Sequence, residues 1–316
     1  MRASGGAVRA VVRSQRRCLA RPVGRRRSAW LAQVLAGAPL RWPVVLDRLR
    51  HDPVLCRRVV VGTVVLAALT VRLLAIVGWA QHVLPAGGGA VYWRQAGYLA
   101  AGDGFVYRNN LGELVPTAVH PPLYSGVLGV VALLGVEDHV PFRLVGALIG
   151  AATAGVVALV ALRLAGWRAG LVAGLIAAVQ PNLWFNDVKL TAESVFALAV
   201  ALVLCASYRL VDRPSTWNTS LLATTIGVAA LARAEALLLY PLLLVPLVWR
   251  DAASPWRARL LRAAWGLAVV VVVIAPWVVR NATTFERPVA LSSGAGFVLE
   301  ISNCDQTYGL APPVGA

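Results

Sequence analysis

The stretch VPTAVHPPLY, Val115 to Tyr124, places His120 ahead of two prolines and a tyrosine, between two strongly apolar regions. Proline has no N–H and keeps its predecessor out of the α region, so the pair predicts the start of a helix at this point. Other reactive side chains gather in a few further segments. NDVKLTAE supplies Asn186, Asp187, Lys189 and Glu193; the hinge ARAE supplies Arg233 and Glu235; the last segment supplies Arg280, Asn281, Asn303 and Asp305. The loop around His120 adds Tyr92, Arg94, Asp103, Glu113 and Tyr124. Carboxylates can take a proton or bind a metal, and Arg and Lys can hold a phosphate through charge-assisted hydrogen bonds. Such a set at a bilayer surface suits a phosphate carried on a lipid.

Each of these residues also has a plainer reading. Asp187 and Lys189 read equally well as a solvated turn, His120 alone as a structural histidine, and Asp103, between two glycines, as a turn residue. Arg72 lies inside an apolar run and reads as snorkelling or paired. Arg233 and Glu235 are harder to dismiss, because ionisable groups in an apolar hinge are costly unless used.

The elements that must position these groups are membrane helices. Of 316 residues, 59% are hydrophobic and only 14% charged, and the mean hydropathy is +0.70. Apolar runs of about 17 to 25 residues, each able to cross a hydrocarbon core about 30 Å thick, recur along the chain. The net charge is +16. Much of it sits in a basic tail over residues 1–57 whose Gly, Ala and Ser predict a loosely ordered cytoplasmic segment, close to anionic lipid. No aromatic platform accompanies the charge, which argues against nucleic acid as a partner. The first apolar run is too far from the N-terminus to be an ordinary signal peptide. Cys18, Cys56, Cys205 and Cys304 are scattered, implying neither a disulfide framework nor a zinc site.

Apolar segments fall at 59–79, 123–136, 142–163, 169–185, 194–211, 219–235, 236–250 and 264–279. The second is short, glycine-interrupted and opened by the proline pair, which suits a surface helix better than a span. Leaving it out puts the tail, Arg163, Arg168, Arg209, Arg213 and the Arg257 to Arg262 loop on one face, the cytoplasmic one. The result is an all-α integral membrane bundle of about seven spans. Its long first outer loop, 80–141, and NDVKLTAE, the ARAE hinge and everything after Arg280 face the other side. Trp79, Trp93, Trp184 and Trp277, near span ends, suit an aromatic belt.

Four segments then show a resemblance: YLAAGDGFVYRNNLGELVPTAVHPPLYSGVLG, AAVQPNLWFNDVKLTAESVFALAV, GVAALARAEALLL and APWVVRNATTFERPVALSSGAGFVLEISNCDQTYG. In that order and spacing they resemble the conserved segments of family 39 glycosyltransferases of the GT-C class, from about residue 60 to the end. The resemblance implies an inverting transfer from a polyprenyl-phosphate sugar on the extracytoplasmic side, to an acceptor it does not identify, in a plasma-membrane protein. It also implies a GT-C module over residues 58–281 with surface helices in the first outer loop, and beyond it an outer segment, 282–316, shortened relative to the family. By the same resemblance His120 and Arg233 belong to the donor-phosphate site and Glu193 is the acidic position opening the fourth span; from their place in the outer-face segments Lys189 joins the phosphate residues, with Tyr92, Asp103, Tyr124, Asp187, Arg280, Asn281 and Asn303 lining the site. No cofactor is required, although a divalent metal bound by Glu193 could assist. Many relatives carry a catalytic Asp shortly before the Tyr92 segment, where this chain has Gly88 or Gly89, so Glu193 and Glu235 are the candidate replacement bases. The alternatives are a catalytically impaired member that binds lipid-linked sugar or a partner, and a transporter. Against the transporter, the ionisable residues other than Arg72 sit near span ends rather than at mid-membrane.

Overall fold

The computed structural model describes residues 52–294, apart from 110, and residues 302–303. The basic tail through residue 51, and residues 295–301 and 304–316 of the last segment, lie outside the described residues. The chain divides into two units, Met1–Cys56 and Arg57–Ala316; the second holds the membrane fold, whose first helix begins just ahead of it at Pro53.

Among the described residues the fold is all-α apart from one small hairpin. Helix α1 is Pro53–Gly78, and α2 is Gly88–Ala101. Strands β1, Val106–Arg108, and β2, Leu114–Pro116, pair antiparallel with Tyr107 opposite Val115. Helix α3 is Leu123–Ala132, starting directly after the proline pair as expected. Then come α4, His139–Val179; α5, Pro181–Lys189; α6, Glu193–Asp212; and α7, Thr216–Ala230. A tightly and then loosely wound run, Ala234–Leu238 and Tyr240–Leu244, leads into α8, Val245–Trp249, and α9 is Trp256–Thr284.

Helix α4 is two helices. At Ala165 and Gly166 the backbone leaves the helical region, with φ of 84° at Gly166, which only glycine adopts without strain. A Cβ on Gly174 would crowd Ala158, and one on Gly170 would crowd Leu162, so the two arms fold back on each other. The expected spans at 142–163 and 169–185 correspond to these arms. The second stops at Val179 rather than at 185, because Pro181 holds Gln180 in an extended conformation (ψ 118°) and opens α5 instead. Among the described residues, four helical stretches are long and apolar enough to cross a membrane: Pro53–His82, His139–Val179, Glu193–Asp212 and Trp256–Thr284; Leu123–Ala132 and Ala234–Trp249 are shorter apolar helices.

Helix starts reflect local chemistry. Asp138 caps α4, its carboxylate accepting from Val140 N at 3.1 Å, and Ser215 caps α7, its hydroxyl accepting from Asn218 N at 3.2 Å. The β1–β2 hairpin is absent from the sequence reading, which places only helices in this loop. Its signal is the turn at Asn109, whose side chain accepts from Leu111 N and Glu113 N, and Gly112, with φ of 85°.

Arg280 fastens that hairpin to the end of α9. Its guanidinium donates to the carbonyls of Thr117 and Phe105 at 2.9 and 2.8 Å and lies over the rings of Trp277 and Phe285. Trp277 is buried and donates to Leu291 O at 2.8 Å, so it belongs to the interior and not to an aromatic belt. Around Tyr92, Tyr124, Leu128, Phe142 and Leu190, a core cluster joins α2, α3 and α4 to the turn after α5.

Candidate functional site

Three chain segments meet at the ends of α6 and α7. Glu193 is the first residue of α6, and Arg233 lies just past α7, where the chain is extended (φ −147°) before it turns helical again. The guanidinium of Arg233 donates to Glu193 Oε1 at 2.8 Å and pairs as an ion with Glu235 Oε1 at 2.9 Å, and it sits over the Phe196 ring. One cation is thus shared by two carboxylates. Side-chain exposures of 41%, 42% and 59% for Arg233, Glu193 and Glu235 leave all three within reach of a ligand.

The proline-pair segment closes the third side. Leu123 N donates to Leu231 O at 2.9 Å, tying the start of α3 to the hinge that carries Arg233. His120 packs against the Tyr92 ring, with centroids 5.0 Å apart, and Tyr92 meets Tyr124 edge-on at the same separation. Burial lowers the His120 pKa below its ordinary 6.5, with Glu193 opposing that shift and Arg233 adding to it. The shift favours the neutral ring, which offers a hydrogen bond rather than a charge. Burial, with the Glu193 carboxylate adding to it, raises the Tyr92 phenol well above its ordinary value. The Tyr124 hydroxyl is buried with no hydrogen-bond partner among the described residues.

Behind Glu193 lies a cavity of about 240 Å³ whose lining includes Arg72, Asn186, Asp187, Glu193, Leu183 and Ala197. Its floor is a buried ion pair: Arg72 Nε donates to Asp187 Oδ2 at 2.7 Å, and Arg72 Nη1 donates to the carbonyls of Ala68 and Ala178. Of the two sequence readings of Asp187, the solvated turn is excluded, since its side chain is only 3% exposed. Arg72 is paired and does not snorkel. Two glycines one helical turn apart on α4 make room for the pair: a Cβ on Gly150 would fall on the Asp187 carboxylate, and one on Gly146 on the Asp187 carbonyl. The end of α5 is fixed further by Arg143, which donates to Val188 O and Val83 O. The chain then turns sharply through Leu190, the one described non-glycine residue with positive φ (63°), a conformation costly for leucine and held here by complete burial. Sequence reasoning misses the roles of Gly146, Gly150 and Arg143. The glycine spacing is a visible signal, but nothing local shows what packs against it.

Other expected site residues stand apart. The Lys189 ammonium lies 4.8 Å from the centroid of the Phe185 ring, which stacks on Trp79, and it makes no ion pair among the described residues. Arg280 and Asn281 are engaged in structure, Asn281 donating to Ala290 O and accepting from Arg280. Asp103 is exposed in its turn between Gly102 and Gly104, and Asn303 is at the surface. Among the described residues no three His, Cys, Asp or Glu side chains converge to hold a metal ion.

A Cβ on Gly89 would overlap the Lys189 carbonyl oxygen, so a side chain there needs the backbone to shift, whereas Gly88, at the start of α2, has open space around a Cβ.

The family model for dolichyl-phosphate-mannose-protein mannosyltransferase matches residues 119–279, half of the chain, and spans His120, Asp187, Glu193, Arg233 and Glu235. The chain belongs to that family, and its class is that of membrane glycosyltransferases. No curated protein and no solved structure matches it.

Proposed function

We propose that this protein transfers a sugar from a polyprenyl-phosphate donor to an acceptor hydroxyl on the extracytoplasmic side of the plasma membrane. The observation that carries the reading is Arg233 shared between Glu193 and Glu235, beside His120 and open to a ligand. The triad holds two negative charges against one positive, so a lipid phosphate that binds Arg233 displaces a carboxylate from it. The displaced carboxylate is then free to take the acceptor proton. As that proton leaves, the acceptor oxygen bonds to the anomeric carbon from the face opposite the phosphate. The bond from carbon to phosphate oxygen breaks, and its electron pair departs with the polyprenyl phosphate, whose charge Arg233 stabilises. Neutral His120 donates a hydrogen bond to a phosphate oxygen or to the sugar. The described residues make no three-ligand metal site, and no step here depends on one.

A second reading, a family member that binds the donor without turning it over, is favoured by the absence of a carboxylate at Gly88 and Gly89. One experiment separates the two: transfer of radiolabelled sugar from a synthetic polyprenyl-phosphate donor, in membranes carrying the chain, Glu193→Gln or Gly88→Asp. Transfer by the unmodified chain that falls about 100-fold in Glu193→Gln supports a relocated base. Transfer only after Gly88→Asp supports the binding reading, and silence from all three contradicts the proposed reaction.

A further inference from the structure

At the opposite end of the same helices is a second and larger cavity of about 760 Å³. Arg209 is 16 residues along α6 from Glu193, about 24 Å at the helical rise, so this cavity is remote from the Arg233 cluster. Its wall carries Arg57, Arg163, Arg209 and Arg213 against a single carboxylate, Asp212. That carboxylate is already taken by Arg163, which also donates to Tyr208 O. Arg57, Arg209 and Arg213 have no side-chain hydrogen bond or ion pair among the described residues. Trp217, 73% exposed, stands at the rim, and Cys205 lies in the wall.

Arginines scattered over a cytoplasmic face need no ligand, since topology alone explains them. Four exposed arginines lining one open cavity are different, because their charges sum there to a local positive field that favours an anion. Guanidinium groups match phosphate oxygens in pairs, and an exposed tryptophan beside them is the side chain that settles at headgroup depth. The geometry points to a binding site for a phosphate group carried by an anionic bilayer lipid, on the face away from the transfer site. The lipid phosphate, with its single negative charge, offsets part of the positive charge of Arg57, Arg209 and Arg213 and ties α1 to the end of α6. This site is independent of the proposed reaction.

Native mass spectrometry of the purified full chain tests it, titrated with phosphatidylglycerol or phosphatidylcholine of the same acyl chains. Phosphatidylglycerol should bind more tightly. Its affinity should fall about fivefold for each arginine removed in Arg209→Gln/Arg213→Gln, and stay within about twofold in the same-face control Arg168→Gln/Arg257→Gln. Alkylation of Cys205, a free thiol in the cavity wall, gives a readout in the unmodified chain: phosphatidylglycerol should slow it and phosphatidylcholine should not. Displacement of the lipid by millimolar inorganic phosphate would assign the site to a soluble phosphate, sparing the phosphate chemistry and overturning the lipid source. Equal binding of the two lipids, equal loss in the control, or unprotected Cys205 would overturn the site altogether.

Discussion

His120 shows how a residue type can suggest one role and its surroundings another. From the sequence it stands as a basic group for a phosphate, but burial beside Tyr92 lowers its pKa and so favours the uncharged ring. That direction sets the sign of its pH effect. A histidine whose folded pKa lies below its unfolded value binds fewer protons when folded, so stability is full above the unfolded pKa and declines as pH falls through it. Unfolding midpoints of the purified chain should therefore drop between pH 7.5 and pH 5.5, with a shallower drop in His120→Gln; identical slopes would place His120 in a solvated setting. Arg72 and Asp187 make a complementary case. Each is legible as an ionisable residue, but their pairing is not, because 115 residues separate them and only the packing of α5 against Gly146 and Gly150 joins them. Removing one partner leaves a buried charge uncompensated, so Asp187→Leu should cost about 3–5 kcal/mol, and Arg72→Met/Asp187→Leu should recover much of it. Denaturant titration of the two variants checks this, and a double variant no better than the single would refute a pairwise role.

Among the elements, proline placement and periodicity locate the start of α3 and the whole of α6 closely, whereas α1 and α9 begin six and eight residues ahead of the apolar runs at 59 and 264. What they cannot locate are features decided by distant contacts: α5 as a separate helix, the β1–β2 hairpin, and the clamp by which Arg280 holds that hairpin to α9. Its type and place in the chain suggest that Arg280 lines the site, whereas both of its donor arms are occupied by backbone carbonyls. Arg280→Met should therefore lower stability by about 2 kcal/mol or more, since hydrogen bonds from charged groups are among the stronger ones. It should also speed proteolysis within 105–117 while sparing donor binding in the fraction that remains folded. Loss of donor binding without loss of stability would return Arg280 to the site.

For the whole molecule, hydropathy and arginine placement give the all-α membrane class directly, because the cost of burying charge in lipid leaves few alternatives. They also predict an orientation. In a variant lacking the native cysteines, an impermeant maleimide should label Lys189→Cys in intact cells and Arg168→Cys only after lysis; the reverse pattern would put the Arg233 cluster on the cytoplasmic side and remove it from the proposed reaction. The central claim is narrower than either activity or orientation: the cation shared by Glu193 and Glu235 holds a lipid-borne phosphate. Equilibrium binding of a fluorescent polyprenyl phosphate to the purified chain tests it most directly, and it applies whether or not the chain turns over. The account predicts saturable binding that weakens at least about tenfold in Arg233→Met, as expected for losing a charge-assisted contact. Equal affinity in the unmodified chain and in Arg233→Met, or no saturable binding by either, would contradict it.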